Sequence, residues 1–308
     1  MKLSIITPVY RSINSIIPLY EQITETVRSM FDFSDYEIIM VEDCGGDGSW
    51  ELISKLALTD LHVKGIKLSR NFGQHHAITA GMDLCTGDWV VVMDCDLQDD
   101  PAAITKLWEK AKEGYDVVNV RRQKRKDSFL KKARSRMYHF VFEWLSGLSY
   151  DSQIANLHIM NRKVVDTYKT MRESSRVLGI QIHWLGYPTA SINFPHASRH
   201  DGKSSYTLRK LLTLALDVAV SYSNKPLHIS TMIGLIISSY SIGVALWFFI
   251  RHLIWKVPVT GWTSLVVSVW FLGGVIIANL GVIGIYIGKI YNETKHRPIY
   301  AIDKKVNF

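Results

Sequence analysis

Residues 90–101 read VVVMDCDLQDDP, with four acidic side chains directly behind an aliphatic run. Two carboxylates one residue apart, Asp94 and Asp96, either share a proton or bind a cation when they converge at a strand end. On a continuing strand, residues i and i+2 point the same way, which would aim both at one point. With the side-chain carbonyl of Gln98 the donor set is oxygen-only, the type that suits Mg2+ or Mn2+ and leaves room for substrate phosphates. Asp99 and Asp100 precede Pro101, a pattern that starts a helix, so one of them is expected to cap it. A solvated acidic loop reads the same way in isolation, so the surrounding elements decide.

Those elements alternate. Strands are expected at KLSIITPVY, YEIIMVED, VKGIKLS, DWVVVMD and YDVVNV, with helices over 14–30, 49–58, 74–85 and 101–113 between them. Unalternated aliphatic runs suit strands covered on both faces, and strand–helix alternation implies a parallel, doubly wound α/β sheet. Ligands of such sheets bind beyond the carboxyl ends of the strands. That rule singles out Thr7, Pro8 and Tyr10, then Glu42 and Asp43, then Asp94 and Asp96, then Arg121 and Arg122.

The second half changes character. Residues 121–136 hold nine Lys or Arg against one acid, Asp127. Leu130, Ala133, Met137, Trp144 and Leu148 then recur at helical spacing, the signature of a basic amphipathic helix at a membrane interface, or of a solvated surface over a core helix. No charged residue lies between His228 and Arg251 or between Lys256 and Lys289. Each stretch is long enough to cross a hydrocarbon core, for which roughly 20 residues suffice. Basic residues flank the pair on its outer sides, so the positive-inside rule places both flanks in the cytoplasm and the turn near 251–262 outside. With no signal peptide expected, the first segment is cytoplasmic too. The three cysteines lack metal-ligand spacing. A net charge of +8 suits anionic membranes or phosphorylated substrates. Nucleic-acid binding is excluded, because the basic run comes without a recognition motif or interleaved aromatics.

Four motifs at successive strand ends, IITPVY, VEDCGGDGSW, LSRNFGQHHAITAGM and DCDLQDDP, resemble the family-2 glycosyltransferases of the GT-A fold. The resemblance runs on through MRESSRVLGIQIHWLGY and SRHDGKSSYTLRKLL to the paired apolar segments and the tail YIGKIYNETKHRPIY. It points to the membrane branch of polyprenyl-phosphate glycosyltransferases, such as dolichyl-phosphate mannosyltransferases and bactoprenol glucosyltransferases. It implies a Rossmann-like GT-A nucleotide-sugar core over 1–125, an acceptor-side region with interfacial helices over 126–228, two transmembrane helices within 229–290 and a cytoplasmic tail over 291–308. The implied activity transfers a sugar from a nucleotide sugar, expected to be UDP-linked, to polyprenyl phosphate at the cytoplasmic face of a bacterial inner membrane. The alternatives are another lipid-linked acceptor or an inactive lipid-binding homologue.

Carried over position by position, the resemblance implies that Pro8, Tyr10, Asp43 and Asp94 bind the donor, with Asp43 on the base or ribose. It implies Asp94, Asp96 and Gln98 as ligands of Mg2+ or Mn2+, Asp96 being catalytic. Arg70 either lines the donor pocket or serves the start of the next helix. Arg121, Lys131, Ser135 and Arg199, with Arg134 as a neighbour, would bind the acceptor phosphate. Lys131 and Ser135, four apart, share one helical face. Some relatives are tetramers, so a homo-oligomer is compatible with the resemblance.

Two departures stand out. Relatives read Pro-x-Tyr-Asn-Glu at the first strand end, whereas Arg11 and Ser12 follow Tyr10 here. Where many bacterial relatives carry a Gly-Asp-Phe-Arg-like stretch with a proposed general base, this chain reads IANLHIMNRK, with Asn156 at the Asp position and His158 at the Arg position. An amide takes no proton at neutral pH. A phosphate monoester, with a second pKa near 6, is already ionised and needs positioning more than deprotonation. Asn156 therefore suits a phosphate acceptor, or a nearby acid such as Asp151 is the base, or the site is altered.

Overall fold

The computed structural model describes residues 1–122, 154–194, 223–255 and 261–308. It divides into two units, Met1–Ser128 with Tyr150–Ser204 and Arg297–Phe308, and Phe129–Ser149 with Ser205–His296.

In the first unit β1 (Lys2–Val9), α1 (Ile13–Arg28), β2 (Asp35–Glu42), α2 (Ser49–Thr59), β3 (Val63–Leu68), α3 (Gln74–Leu84), β4 (Trp89–Val92), α4 (Ala103–Ala111) and β5 (Val117–Arg122) alternate as the apolar pattern predicts. They are followed by β6 (Ile154–Asn161), α5 (Arg162–Thr170), α6 (Leu178–Leu185), β7 (Thr189–Phe194) and, near the chain end, β8 (Ile302–Val306). All eight strands form one sheet in the order β7-β5-β6-β4-β1-β2-β3-β8. β6 and β8 run antiparallel to their neighbours, while the other pairings are parallel.

Both faces of the central strands are covered, and the pleat divides the core accordingly. Ile5 joins the cluster containing Leu19 of α1, Ile53 of α2 and Leu107 of α4, whereas Ile6 joins the one containing Ile78 of α3 and Tyr168 of α5. Adjacent apolar residues therefore serve opposite layers, which is why these strands show no polar alternation. α3 approaches β1 closely at Gly81, where an added Cβ would lie 2.5 Å from Cγ2 of Ile6.

The sheet is larger than the sequence pattern predicts. The boundary expected at 125 falls inside it, since β6 inserts between β4 and β5, and β7 adds the edge beyond β5. The supposed tail is also part of it: β8 pairs with β3, Gly65 opposite Val306 and Ile66 opposite Lys305. Its exposed Asp303, Lys304 and Lys305 disguise it as a polar tail, although charged residues are what an edge strand requires.

The described residues of the second unit form α7 (Lys225–Trp255) and α8 (Trp262–Thr294). Of 31 and 33 residues, each spans about 46–50 Å at 1.5 Å per residue, ample for a bilayer core of about 30 Å. Their apolar side chains are exposed, Trp270 by 79% and Ile277 by 71%, unlike those of a core helix in a soluble protein. Ser230 of α7 hydrogen-bonds Asn279 of α8, a polar link of the kind that joins helices in lipid. Arg251, expected in the turn, lies within α7, because the helix continues past its apolar stretch to Trp255.

Near the amino-terminal end of β2, Glu37 is buried and accepts from the Ser4 hydroxyl at 2.6 Å and the Thr86 N–H at 2.6 Å, with Lys64 at 2.8 Å. Burial pushes its carboxyl up, but the bonds from Lys64, Ser4 and Thr86 outweigh burial and hold it at about 2. A depressed carboxylate stabilises the fold above its unfolded value, and that contribution fades as pH falls toward the folded one. Between 4.5 and about 2 it corresponds to ~3 kcal/mol. The detergent-solubilised protein should lose thermal stability as pH drops below 4.5, and Glu37→Gln should flatten that dependence while lowering the neutral-pH midpoint. An unchanged acid profile in Glu37→Gln would remove Glu37 from this role.

Candidate active site

The strand order reverses direction at β1, which has β2 on one side and β4 on the other. A crevice lies beyond the carboxyl ends of these strands, where ligands of such sheets bind. Ladder bonding stops there: the Met93 N–H donates to Ile6 O at 3.1 Å, and the Thr7 hydroxyl donates to Met93 O at 2.9 Å. The chain then leaves the sheet.

This corrects the expected geometry of the acidic pair. β4 ends at Val92, so Asp94 and Asp96 are not neighbours on a pleat; they follow it, with Leu97 in a left-handed conformation at φ 57°. Both still line one cavity of about 380 Å3, with Pro8, Tyr10, Asp43 and Gln74. Gln98 is not among its lining residues; its backbone N–H donates to Oδ1 of Asp96 at 3.2 Å. Asp100 accepts from the Ala102 N–H at 2.8 Å in the turn before α4, whose N-cap is Ala102 without a side-chain cap bond.

Asp94 is gripped by two amides. Nε2 of Gln74 donates to its Oδ1 at 2.6 Å and Nδ2 of Asn156 to its Oδ2 at 2.9 Å. Asn156 thus does sit beside the acidic pair, as a donor to a carboxylate. His158 is buried, with Nδ1 2.7 Å from Oδ1 of Asn119. Burial, with His75 adding to it, pushes its imidazole down to about 4, so the position where relatives carry Arg holds no charge here.

Asp43 accepts from the N–H groups of Phe72 at 2.7 Å and Gly73 at 2.8 Å, which fixes the turn entering α3. Gly73, at φ 97°, occupies backbone space that favours glycine. Burial raises the Asp43 carboxyl despite those two bonds. Arg70 lies with its guanidinium 4.3 Å from the Phe72 ring centre, and its neighbour Asn71, not Arg70, is among the cavity-lining residues. Tyr10 is 44% exposed, leaving its ring available as a platform. Arg121 is the next-to-last residue of β5, exposed and outside the residues lining this cavity. Lys131, Arg134, Ser135, Asp151 and Arg199 lie outside the described residues.

Sequence reasoning missed Gln74 and Asp47. Asp47 accepts from the N–H groups of Ile13 at 3.1 Å and Ser49 at 3.2 Å, joining the starts of α1 and α2 beneath the cavity. Its aspartate-before-helix spacing in GGDGSW was the available signal. Gln74 offered none, because its partner is remote in sequence.

Oxygen donors, an open cavity and a carboxylate pair fit a hard divalent cation that also takes substrate oxygens. Among the described residues no group of three or more His, Cys, Asp or Glu is placed to hold a metal by itself. The buried Cys95 is no competitor, since burial and then Asp96 and Asp94 push its thiol up to about 12.

A mostly parallel sheet with this switch-point crevice is GT-A-like, the architecture of sugar-nucleotide transferases. The sequence makes the assignment specific: residues 4–175 match the profile of glycosyl transferase family 2, and the chain belongs to that family. It is 35% identical to the bactoprenol glucosyl transferase of Shigella phage SfV, over 98% of each chain. It is 33% identical to the undecaprenyl-phosphate 4-deoxy-4-formamido-L-arabinose transferase of Proteus mirabilis (strain HI4320), over 99% of this chain and 94% of that one. A solved mannosyltransferase from Pyrobaculum calidifontis, in complex with GDP-Man and Mn2+, aligns over 71% of this chain and 63% of its own, with 14% identity and a TM-score of 0.49.

Asp43→Ala should leave the half-buried Phe72 and Gly73 N–H groups without their acceptor, costing up to about 1–3 kcal/mol each. Thermal melting should fall accordingly and nucleotide affinity should drop at least tenfold. Wild-type melting and affinity together would remove Asp43 from its place in the cavity wall.

Proposed function

We propose that this glycosyltransferase moves a sugar from a UDP-sugar to undecaprenyl phosphate on the cytoplasmic face of a membrane. The observation that carries the reading is one chain with both halves of such a reaction: a switch-point cavity with a carboxylate pair, and two exposed apolar helices. Full-length similarity to a bactoprenol glucosyl transferase and an undecaprenyl-phosphate transferase supports the acceptor.

In this reading Tyr10 stacks on the base and Asp43 holds the wall against which the nucleoside lies. Asp94 and Asp96 hold a Mg2+ or Mn2+ ion, with Gln98 steadying Asp96 through its N–H. When bound, the cation offsets the charge on the departing nucleoside diphosphate. Gln74 and Asn156 each donate to one Asp94 oxygen and so fix the carboxylate plane.

A phosphate oxygen of the acceptor forms the new bond to the anomeric carbon as the bond from that carbon to the diphosphate oxygen breaks. No proton has to be removed from an ionised phosphate, so an amide at 156 is chemically sufficient. An alcohol acceptor would need a base there, and Asn156 disfavours it. The basic residues Arg121, Lys131, Arg134 and Arg199, with Ser135, are assigned to the acceptor phosphate, as guanidinium and ammonium groups suit phosphate oxygens.

The test uses purified full-length protein with Mn2+, undecaprenyl phosphate and a panel of radiolabelled nucleotide sugars. An acid-labile labelled lipid is expected with one donor, and Asp96→Ala should lower its formation at least 100-fold without altering membrane insertion. Failure to label the lipid from every donor overturns the acceptor assignment; full activity in Asp96→Ala overturns the ion site. Asn156→Ala should reduce kcat/KM about tenfold and raise the Mn2+ concentration needed for half-maximal rate, whereas a general base at 156 would cost far more and change the pH profile.

A further inference from the structure

The helix that presents Gln74 is tied down along the face that points away from it. At about 100° per residue, His76, Thr79 and Asp83 of α3 project to one side, while Gln74, the first residue of the helix, projects to roughly the opposite side. Each of the three has a partner. The His76 ring hydrogen-bonds the backbone of Ser174, the Thr79 hydroxyl lies 3.1 Å from the Tyr168 hydroxyl of α5, and Asp83 pairs with both terminal guanidinium nitrogens of Arg172. Beside this face, Nδ1 of His75 accepts from the Leu178 N–H at 3.4 Å.

Residues 172–178 therefore run the length of α3, about 16 Å, from Asp83 near its carboxyl end to His75 at its start. The strap is itself secured to α5 and α6. Oε2 of Glu173 accepts from Nε2 of Gln181 at 2.7 Å, Nη1 of Arg176 donates to Met171 O at 2.6 Å, and the Arg176 guanidinium lies 4.8 Å from the Tyr168 ring centre. On the far side of the helix, Gln74 donates to Asp94 at 2.6 Å. Turning α3 by about 20° on its axis would carry a group at a radius of about 5 Å through roughly 2 Å, past the range of that bond.

We propose that residues 172–178 and Tyr168 clamp α3 in the rotation that presents Gln74 to Asp94, with Arg172 and Tyr168 as positioning residues for the ion site. Neither of the two lines the cavity, so both act through the helix. The clamp rests on the transferase reading above, in which Asp94 is an ion ligand, and it makes the affinity for the ion depend on contacts behind α3. Arg172 is half exposed, so its removal loosens the far end of the helix without opening the core.

Titration of Mn2+ into the full-length protein in detergent, with UDP at a fixed concentration and water-proton relaxation reporting the ion held on the protein, reads the site without turnover. Arg172→Ala should raise the Kd for Mn2+ at least threefold, and Arg172→Lys, which keeps one bond to Asp83, should fall between it and the wild type. Tyr168→Phe removes one hydroxyl and keeps the packing; it should raise the Kd at least twofold and serves as the test if Arg172→Ala fails to fold. Gln74→Ala should raise the Kd at least as much as Arg172→Ala, and combining the two should raise it no further, because the clamp acts through that amide. A folded Arg172→Ala protein that melts lower yet binds Mn2+ like the wild type has lost only a structural contact, and the clamp is overturned. The same fold-loss with and without Gln74 overturns it too. Wild-type protein that binds no Mn2+ removes the ion site and the clamp with it; wild-type binding with unaffected variants removes the clamp alone.

Discussion

Everything at the site depends on where the backbone stops pairing. β1 and β4 are held together only through Ile6 and Val92, after which Met93 makes one more bond and Thr7 closes the seam through its side chain. Beyond that point backbone groups need other partners, and the loops there are tied by side chains instead: Asp43 to the entry of α3, Asp47 to the starts of α1 and α2, Glu42 to the Gly45 N–H. Acidic residues predominate in this role because a carboxylate can accept from two N–H groups at helix starts and turns. The concentration of negative charge around the crevice is thus partly structural, and a site that needs carboxylates for a cation is built from the same currency.

That overlap gives Asn156 its physical meaning. An aspartate at this position would place a second carboxylate at hydrogen-bond distance from Asp94, and the two would repel unless they shared a proton or a cation. The amide supplies a donor at the same place, so Asp94 is held by attraction from both sides, through Gln74 and Asn156. Nearby, His158 is buried against Asn119 with its imidazole pushed down to about 4, and an amide at 156 leaves that position without the capacity to accept a proton. A phosphate nucleophile tolerates that lack.

Legibility in the sequence followed the range of the interactions. β1 to β5 and α1 to α4 were readable because their apolar runs bury against local neighbours, and the strand-end rule then placed Pro8, Tyr10, Asp43, Asp94 and Asp96 around one cavity. β6 and β8 were not, since an antiparallel insertion between β4 and β5 and a charged edge strand leave no periodic mark of their own. The convergence of Asp94 and Asp96 was foreseen through the wrong cause, a continuing pleat, whereas a turn after Val92 brings them together. Gln74 was silent because what defines it, a partner 20 residues away, is visible only in three dimensions.

The chain end shows how such remote contacts bear on the site. The Tyr300 hydroxyl donates to Asp83 Oδ2 at 2.6 Å, and Arg172 binds the same carboxylate through Nη1 at 2.8 Å and Nη2 at 3.1 Å. Asp83 lies near the carboxyl end of α3, the helix whose opposite end lines the cavity, and Arg172 opens the segment that carries Arg176. One carboxylate therefore joins three stretches distant in sequence, and β8 anchors the last of them along β3. An 11-residue helix moves as a rod, so fixing its far end also limits the freedom of Gly73 and Gln74 at the near end. The residues after α8 are in this sense part of the wall of the site, although none of them touches the cavity.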